Sequence, residues 1–168
     1  MTGRACELRD AFDRGFAAAV LPPDANRSDV LCIQVAGQPC AIRLGDIASL
    51  HAELRIIALP SPAPELLGVA AIRATVLPIY DLAGALGMPG AAAARWTAVH
   101  CDGQAGFAFE RYDGHARIAD VAFSAAAQRG HIAGQLVVHG QPRLIIDLGS
   151  VLAAIDTRFN PGGIAKEQ

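Results

Sequence analysis

The sequence predicts an all-β fold made of two copies of one unit set 66 residues apart, with an amphipathic helix ahead of it and short helical turns within it. Three observations predict it. From Val30 onward, short runs of Val, Ile and Leu are broken by Gly, Pro, Asn or Asp, the pattern of many short strands. Landmarks recur in one register without a gap: Gly37-Gln38 with Gly103-Gln104, Gly68 with Gly134, Ile79 with Ile145, Asp81-Leu82 with Asp147-Leu148, and Leu86 with Leu152. The chain is 52% hydrophobic and 18% charged, so it holds enough apolar surface to offset the entropy of ordering 168 residues around one core or two small ones.

Taken in order, residues 4–21 place Leu8, Phe12 and Phe16 at four-residue intervals among Glu7, Arg9, Asp10, Asp13 and Arg14, which predicts an amphipathic helix. Pro22 and Pro23 end it, and the polar stretch to Ser28 reads as a linker, so residues 1–28 stand outside a domain that begins at Asp29. Val30 to Val35, a turn at Ala36-Gly37-Gln38-Pro39 and Cys40 to Leu44 form a predicted hairpin with Cys40, Ile42 and Leu44 on its buried face.

The unit common to both copies is a strand, a tight turn, a second strand and then Asp-Leu opening a helical turn. The strands Val69 to Ile72 and Gln135 to Val138 lead into the turns Arg73-Ala74 and His139-Gly140. Asp81 and Asp147 fall at the N-cap positions, where a carboxylate accepting backbone N–H groups contributes about 1 kcal/mol. This structural task outweighs a reading of the two as a catalytic carboxylate pair. Pro78 removes a ladder donor from its strand, which predicts an edge or a bulge there. Leu144 stands at that place in the second copy, so the two copies differ.

A formal charge of -2 and the lack of any Lys/Arg cluster argue against nucleic acid and anionic membrane as partners. The apolar stretch Phe16 to Leu21 follows charged residues and is too short to be a secretory or transmembrane segment, which points to the cytoplasm. Cys6, Cys32, Cys40 and Cys101 form no CxxC pair and read as reduced thiols. Zinc held by Cys101 with His100 and Cys32 is the weaker reading, so neither metal nor cofactor is expected. There is no phosphate-binding GxxxxGK[ST] loop, GxSxG elbow or HExxH pair, and His51, His100, His115, His131 and His139 are scattered over predicted strand ends and turns.

The run from Leu66 to Leu82, LLGVAAIRATVLPIYDL, closely resembles the signature of the CheW-like family, a "GV-x-N-L-R-G-x-V-x-P-V-x-D-L" stretch. Leu54 to Pro64 is similar to the apolar, proline-bearing approach to that signature, and His131 to Leu152 to its counterpart in the second lobe. The resemblance covers residues 29–156. It implies two SH3-like five-stranded β-barrel lobes related by internal pseudo-symmetry, the first over about 29–95 and the second over about 96–156, followed by a tail at 157–168.

The function that the resemblance implies is that of a non-enzymatic adaptor joining chemoreceptors to the histidine kinase CheA. One lobe would hold the kinase's regulatory domain, and the groove between lobes the cytoplasmic tip of the receptor. On this resemblance Gly68, Val69, Ile72, Arg73 and Pro78 form the expected partner surface. The sequence departs from the family pattern in three places. Ala71 and Ala74 replace the usual Asn and Gly around the arginine, Ser49 stands where many members carry glutamate, and the N-terminal stripe of Leu8, Phe12 and Phe16 needs cover of its own. A turn with Ala74 in it is expected to be wider than two residues or of another type. The competing reading is a small β-barrel ligand binder or enzyme that uses the inter-lobe groove, with His139 or Asp81 in its site.

Overall fold

The computed structural model describes residues 27–89, 93–119 and 129–159, and the helix expected over residues 4–21 lies outside them. Strands dominate. They run β1 (Arg27–Val35), β2 (Gln38–Arg43), a single 3-10 turn (Leu44–Asp46), β3 (Ile47–Ala52), β4 (Leu66–Ile72), β5 (Thr75–Asp81) and the short helix α1 (Leu82–Ala85). The order then repeats as β6 (Trp96–His100), β7 (Gly106–Phe109), β8 (Arg111–Ala119), β9 (Ile132–Val138), β10 (Gln141–Ile146) and helix α2 (Leu148–Phe159). The strand begins at Arg27, inside the expected linker, and α2 continues to Phe159, inside the expected tail.

Two five-stranded sheets result, ordered β8-β1-β2-β10-β9 and β3-β6-β7-β5-β4. Each β-strand of the first copy has its equivalent five strands later, so both sheets carry the same order with the copies interchanged. The first sheet takes β1 and β2 from the first copy and β8, β9 and β10 from the second. The other sheet takes the complement. A boundary near residue 95 therefore separates the copies along the chain but not the two sheets. The physical cause is the short step after the second strand of each copy: the 3-10 turn Leu44–Asp46 carries the chain from one sheet to the other, and Glu110 alone does so between β7 and β8.

The core has three layers. Val30, Cys32, Ala41, Leu136, Val138 and Ile145 fill the inner face of the first sheet. Ala70, Ile79, Ala108, Ile72, Leu77 and Val99 fill that of the second. Between the sheets, Leu31, Ile33, Cys40 and Ile42 meet Ala98, Phe107 and Phe109, and the helices add Leu82, Ala85, Leu148, Val151, Leu152 and Ile155. Alternation along a strand sends neighbours to opposite faces, so β1 and β2 serve two layers at once. The hairpin expected to bury one face buries both, and Leu44, placed on that face by the sequence, is instead 42% exposed in the 3-10 turn.

The two copies match closely at the level of burial. The strands β4 and β9 run through the same alternation of half-buried, buried and exposed positions, and each leads into a two-residue turn. Asp81 Oδ2 accepts from Gly84 N at 3.0 Å, and Asp147 Oδ1 from Ser150 N at 2.9 Å, so both helices start on a side-chain cap. One substitution breaks the match. Leu77 packs in apolar surroundings, whereas its equivalent, Arg143, is buried with its guanidinium on the carbonyls of Ile33 and Cys40, on Asp113 and on Gln141.

Candidate functional site

The β4–β5 hairpin closes on Ile72 facing Thr75, with two residues between them. Arg73 has φ 47° and Ala74 φ 65°, so both adopt the left-handed region that a two-residue turn of the primed type requires. This corrects the expectation of a wider turn. Ala74 takes a conformation in which glycine is favoured, and the strand pairing on either side holds it there. Arg73 is carried at the exposed tip of the hairpin.

Pro78 lies in an interior strand rather than an edge, because β5 sits between β4 and β7. Its missing donor costs nothing for two reasons. Pairing with β7 begins only at Ile79. On the other side, Val69 faces Pro78 but turns its own polar groups outward: Val69 N donates to Ile57 O at 2.9 Å, and Ile57 N donates to Val69 O at 2.8 Å. A bulge follows between Leu66 and Gly68.

That bridge passes directly over Gly68, where a Cβ would sit 2.1 Å from the Ile57 carbonyl oxygen and 2.9 Å from the Ala58 Cα. Gly68 is thus what lets the segment around Ile57 cross the edge strand. The five residues named from the sequence separate by face. Gly68 and Ile72 are buried and hold the hairpin in place, Val69 and Pro78 are half-buried on the outward face, and Arg73 is exposed at the tip. Ala71 and Val76 pair on that outward face, with Val76 65% exposed, while Ile57 at 59% and Leu59 at 46% flank it. Val76, Ile57 and Leu59 were not singled out in the sequence, where an apolar residue in a strand reads as core.

The seam between the sheets carries two clefts. One, of about 440 Å³, is lined by Gln34, Ala52, Glu53, Ala93, Arg95, Trp96, Glu110 and Arg111. The other, of about 450 Å³, is lined by Ser28, Asp29, Arg43, Leu44, Gly45 and Asp46. The 66-residue offset relates them: Arg95 answers to Asp29, Glu110 to Leu44 and Arg111 to Gly45. The frame is shared and the chemistry is not.

In the first cleft, Arg95 pairs with Glu53 at 3.4 Å, Gly37 N donates to Glu110 Oε2 at 3.2 Å, and Arg111 Nε donates to Asp113 Oδ1 at 2.8 Å. Trp96 packs on Tyr112 with ring centroids 5.4 Å apart. Glu53 stands at φ 49°, a strained position for a side-chain-bearing residue. In the second cleft, Asp29 accepts from Arg117 Nε at 2.9 Å and lies 3.0 Å from His115 Nε2. The Arg117 hydrogen bond holds the Asp29 carboxyl below its ordinary range, whereas burial pushes that of Asp46 up against the pull of Arg43. Neither cleft includes Asp81 or His139 in its lining.

Among the described residues, no three His, Cys, Asp or Glu side chains come together in a way that could hold a metal ion. Cys32 and Cys40 are buried and Cys101 is exposed, and burial raises the Cys40 thiol to about 11. No helix of the described residues is long and apolar enough to cross a membrane.

Two interchanged five-stranded sheets around a shared core, with an outward apolar hairpin and clefts along the seam, define a mostly-strand protein of the two-sheet, internally repeated β class. The chain belongs to the CheW-like domain family, whose model matches residues 29–156. Its fold is similar to that of the scaffolding protein TtCheW from Thermoanaerobacter tengcongensis, with a TM-score of 0.61 at 14% identity over 72% of this chain and 88% of that one. No curated protein matches the chain.

Proposed function

We propose that this protein is a chemotaxis-type scaffold that couples chemoreceptors to a CheA-type histidine kinase without catalysing a reaction itself. The observation that carries the reading is the outward face of the β4–β5 hairpin. Val69, Ala71, Val76 and Pro78 share that face, and Arg73 stands at its tip. An apolar strip bordered by one arginine is the composition of a protein-docking surface, and arginine is enriched among residues that dominate such contacts. The hairpin is also rigid, because Gly68 and the Ile57 bridge tie its base. Membership of a scaffold family supports the same reading.

The kinase's regulatory domain is assigned to this hairpin, with Arg73, Val69 and Pro78 in contact and Gly68 and Ile72 in support. The receptor's cytoplasmic tip is assigned to the seam between the sheets. The site of action that goes with these partners is the cytoplasm, and no cofactor or metal is required.

The test is a binding assay with the regulatory domain of CheA and a receptor signalling tip from the same organism. Arg73→Glu and Val76→Asp should each weaken kinase binding at least about tenfold, equivalent to about 1.4 kcal/mol, while leaving the thermal midpoint within a few degrees of the parent. Binding of neither partner by the parent protein would refute the coupling role.

A further inference from the structure

Three hairpins of the described residues close on two-residue turns: Ala36-Gly37 between Val35 and Gln38, Arg73-Ala74 between Ile72 and Thr75, and His139-Gly140 between Val138 and Gln141. All three hold both turn residues in the left-handed region. Two of them end on glycine, at φ 73° and 77°, whereas the Arg73-Ala74 turn ends on alanine, at φ 65°. A Cβ at Gly37 or Gly140 would meet nothing within 4 Å, so glycine stands there for its backbone freedom alone. The fold does not account for the alanine. The β9–β10 hairpin is the counterpart of β4–β5, with the same run of burial along β9 as along β4, and it closes on the residue that takes this conformation at no steric cost.

Alanine restricts the turn where glycine would not. The left-handed region open to a residue with a side chain is a small island, roughly φ +50° to +70°, and glycine moves well beyond it. Ala74 lies inside that island, and the two glycines lie past its edge. The tip of the β4–β5 hairpin is thereby held to one course, and the backbone of Arg73 with it. Arg73 itself is exposed, and no hydrogen bond or ion pair among the described residues fixes its side chain. The base of the same hairpin is fixed separately, by the Ile57 bridge to Val69 and its close passage over Gly68. Strain kept at an exposed tip, where the counterpart shows that the fold does without it, points to a task outside the fold. We propose that Ala74 is a positioning residue for docking: by keeping the turn in one conformation, it aims Arg73 at the partner that covers Val69, Ala71, Val76 and Pro78. The proposal rests on the reading of this hairpin as the surface that takes the kinase's regulatory domain.

Binding of the regulatory domain of CheA to the full chain and to two variants tests this. Ala74→Gly frees the turn and should bind about fivefold more weakly, while unfolding at higher denaturant than the parent. Ala74→Asn keeps a Cβ and tolerates the left-handed region, so it should bind like the parent. Amide relaxation measured by NMR gives a reading that needs no partner. The order parameter of the Arg73 amide should stand at about 0.85 in the parent and in Ala74→Asn, and fall in Ala74→Gly. A residue that only supported the fold would move stability and affinity in the same direction. Ala74→Gly binding as tightly as the parent, or an Arg73 amide equally rigid in both, would overturn the inference and leave the docking surface standing. Equal loss of affinity in both variants would trace the effect to the alanine methyl and overturn the positioning role as well. A parent that binds no kinase domain would overturn the docking reading, and this inference with it.

Discussion

Single positions show which residues the fold constrains most. Ala74, at φ 65°, bears the cost that an L side chain has in the left-handed region, about 1–2 kcal/mol. Ala74→Gly removes it and gives back part through a freer unfolded chain, so denaturant unfolding should show a net gain of about 0.5–1 kcal/mol. Gly68→Ala should do the reverse and lose about 3 kcal/mol, because the new Cβ meets the backbone of Ile57 and Ala58, which cannot turn aside like a side chain.

Arg143 is the buried charge of the first sheet, with Asp113 as its counter-ion at 3.1 Å and side-chain exposures of 7% and 14%. Its Nε is buried with no partner among the described residues, so the guanidinium is only partly satisfied. Burial pushes the Asp113 carboxyl up, but hydrogen bonds from Arg111 and Arg143 and the charge of Arg111 outweigh it, and the net shift is downward. A carboxyl lowered in the folded state contributes stability that is present above its unfolded value, near 3.9, and is lost as pH falls through the folded value. The parent should therefore lose stability below about pH 4. Asp113→Asn should cost about 2–3 kcal/mol at pH 7 and flatten part of that acid limb in melts collected from pH 3 to 7. Arg143→Leu, which restores the residue of the first copy, should cost less, because Asp113 keeps Arg111.

Among the elements, α2 is the one that ties the sheets together. It follows β10 of the first sheet and lays Val151, Leu152 and Ile155 into the shared core. At its last turn Arg158 Nη1 donates at 2.8 Å to Glu65 Oε1, just ahead of β4 in the other sheet. The Glu65 side chain is 4% exposed, so Arg158→Ala leaves a carboxylate buried without that cation. Because Arg158 itself is half-exposed, a cycle of Glu65→Gln and Arg158→Ala should give a coupling of about 1 kcal/mol in chemical denaturation. A coupling near zero would mean the contact is surface decoration.

At the scale of the molecule, the interchange of strands makes the two sheets one cooperative body. Neither sheet can unfold without drawing strands from both copies, and the shared core opens as soon as either does. Calorimetry should therefore show one transition whose measured and van't Hoff enthalpies agree, despite the two-lobed plan. Two resolved transitions would contradict this account. The same architecture explains why the clefts come as a related pair of unlike chemistry, since each lies where a copy crosses between sheets and the crossing residues, Leu44-Gly45 and Glu110-Arg111, have diverged.

The strand content, the 66-residue period, the positions of the hairpins and the family signature at residues 66–82 were legible in the sequence, because each rests on local pattern or on self-similarity, whereas the two-residue form of the Arg73-Ala74 turn was not. Of the candidate surface, Arg73 and its neighbours could be named from the signature run, but not their division into supporting and outward residues, which depends on the parity of a strand relative to a core. Tertiary structure alone decided that Pro78 sits in an interior strand beside an outward-turned Val69 and that Arg143 is buried. It also decided that Val76 and Ile57 are exposed and that each sheet draws on both copies. The reason is common to all four. Strand pairing between distant segments is set by how faces are buried against one another, and no local window of sequence records which copy a strand will find.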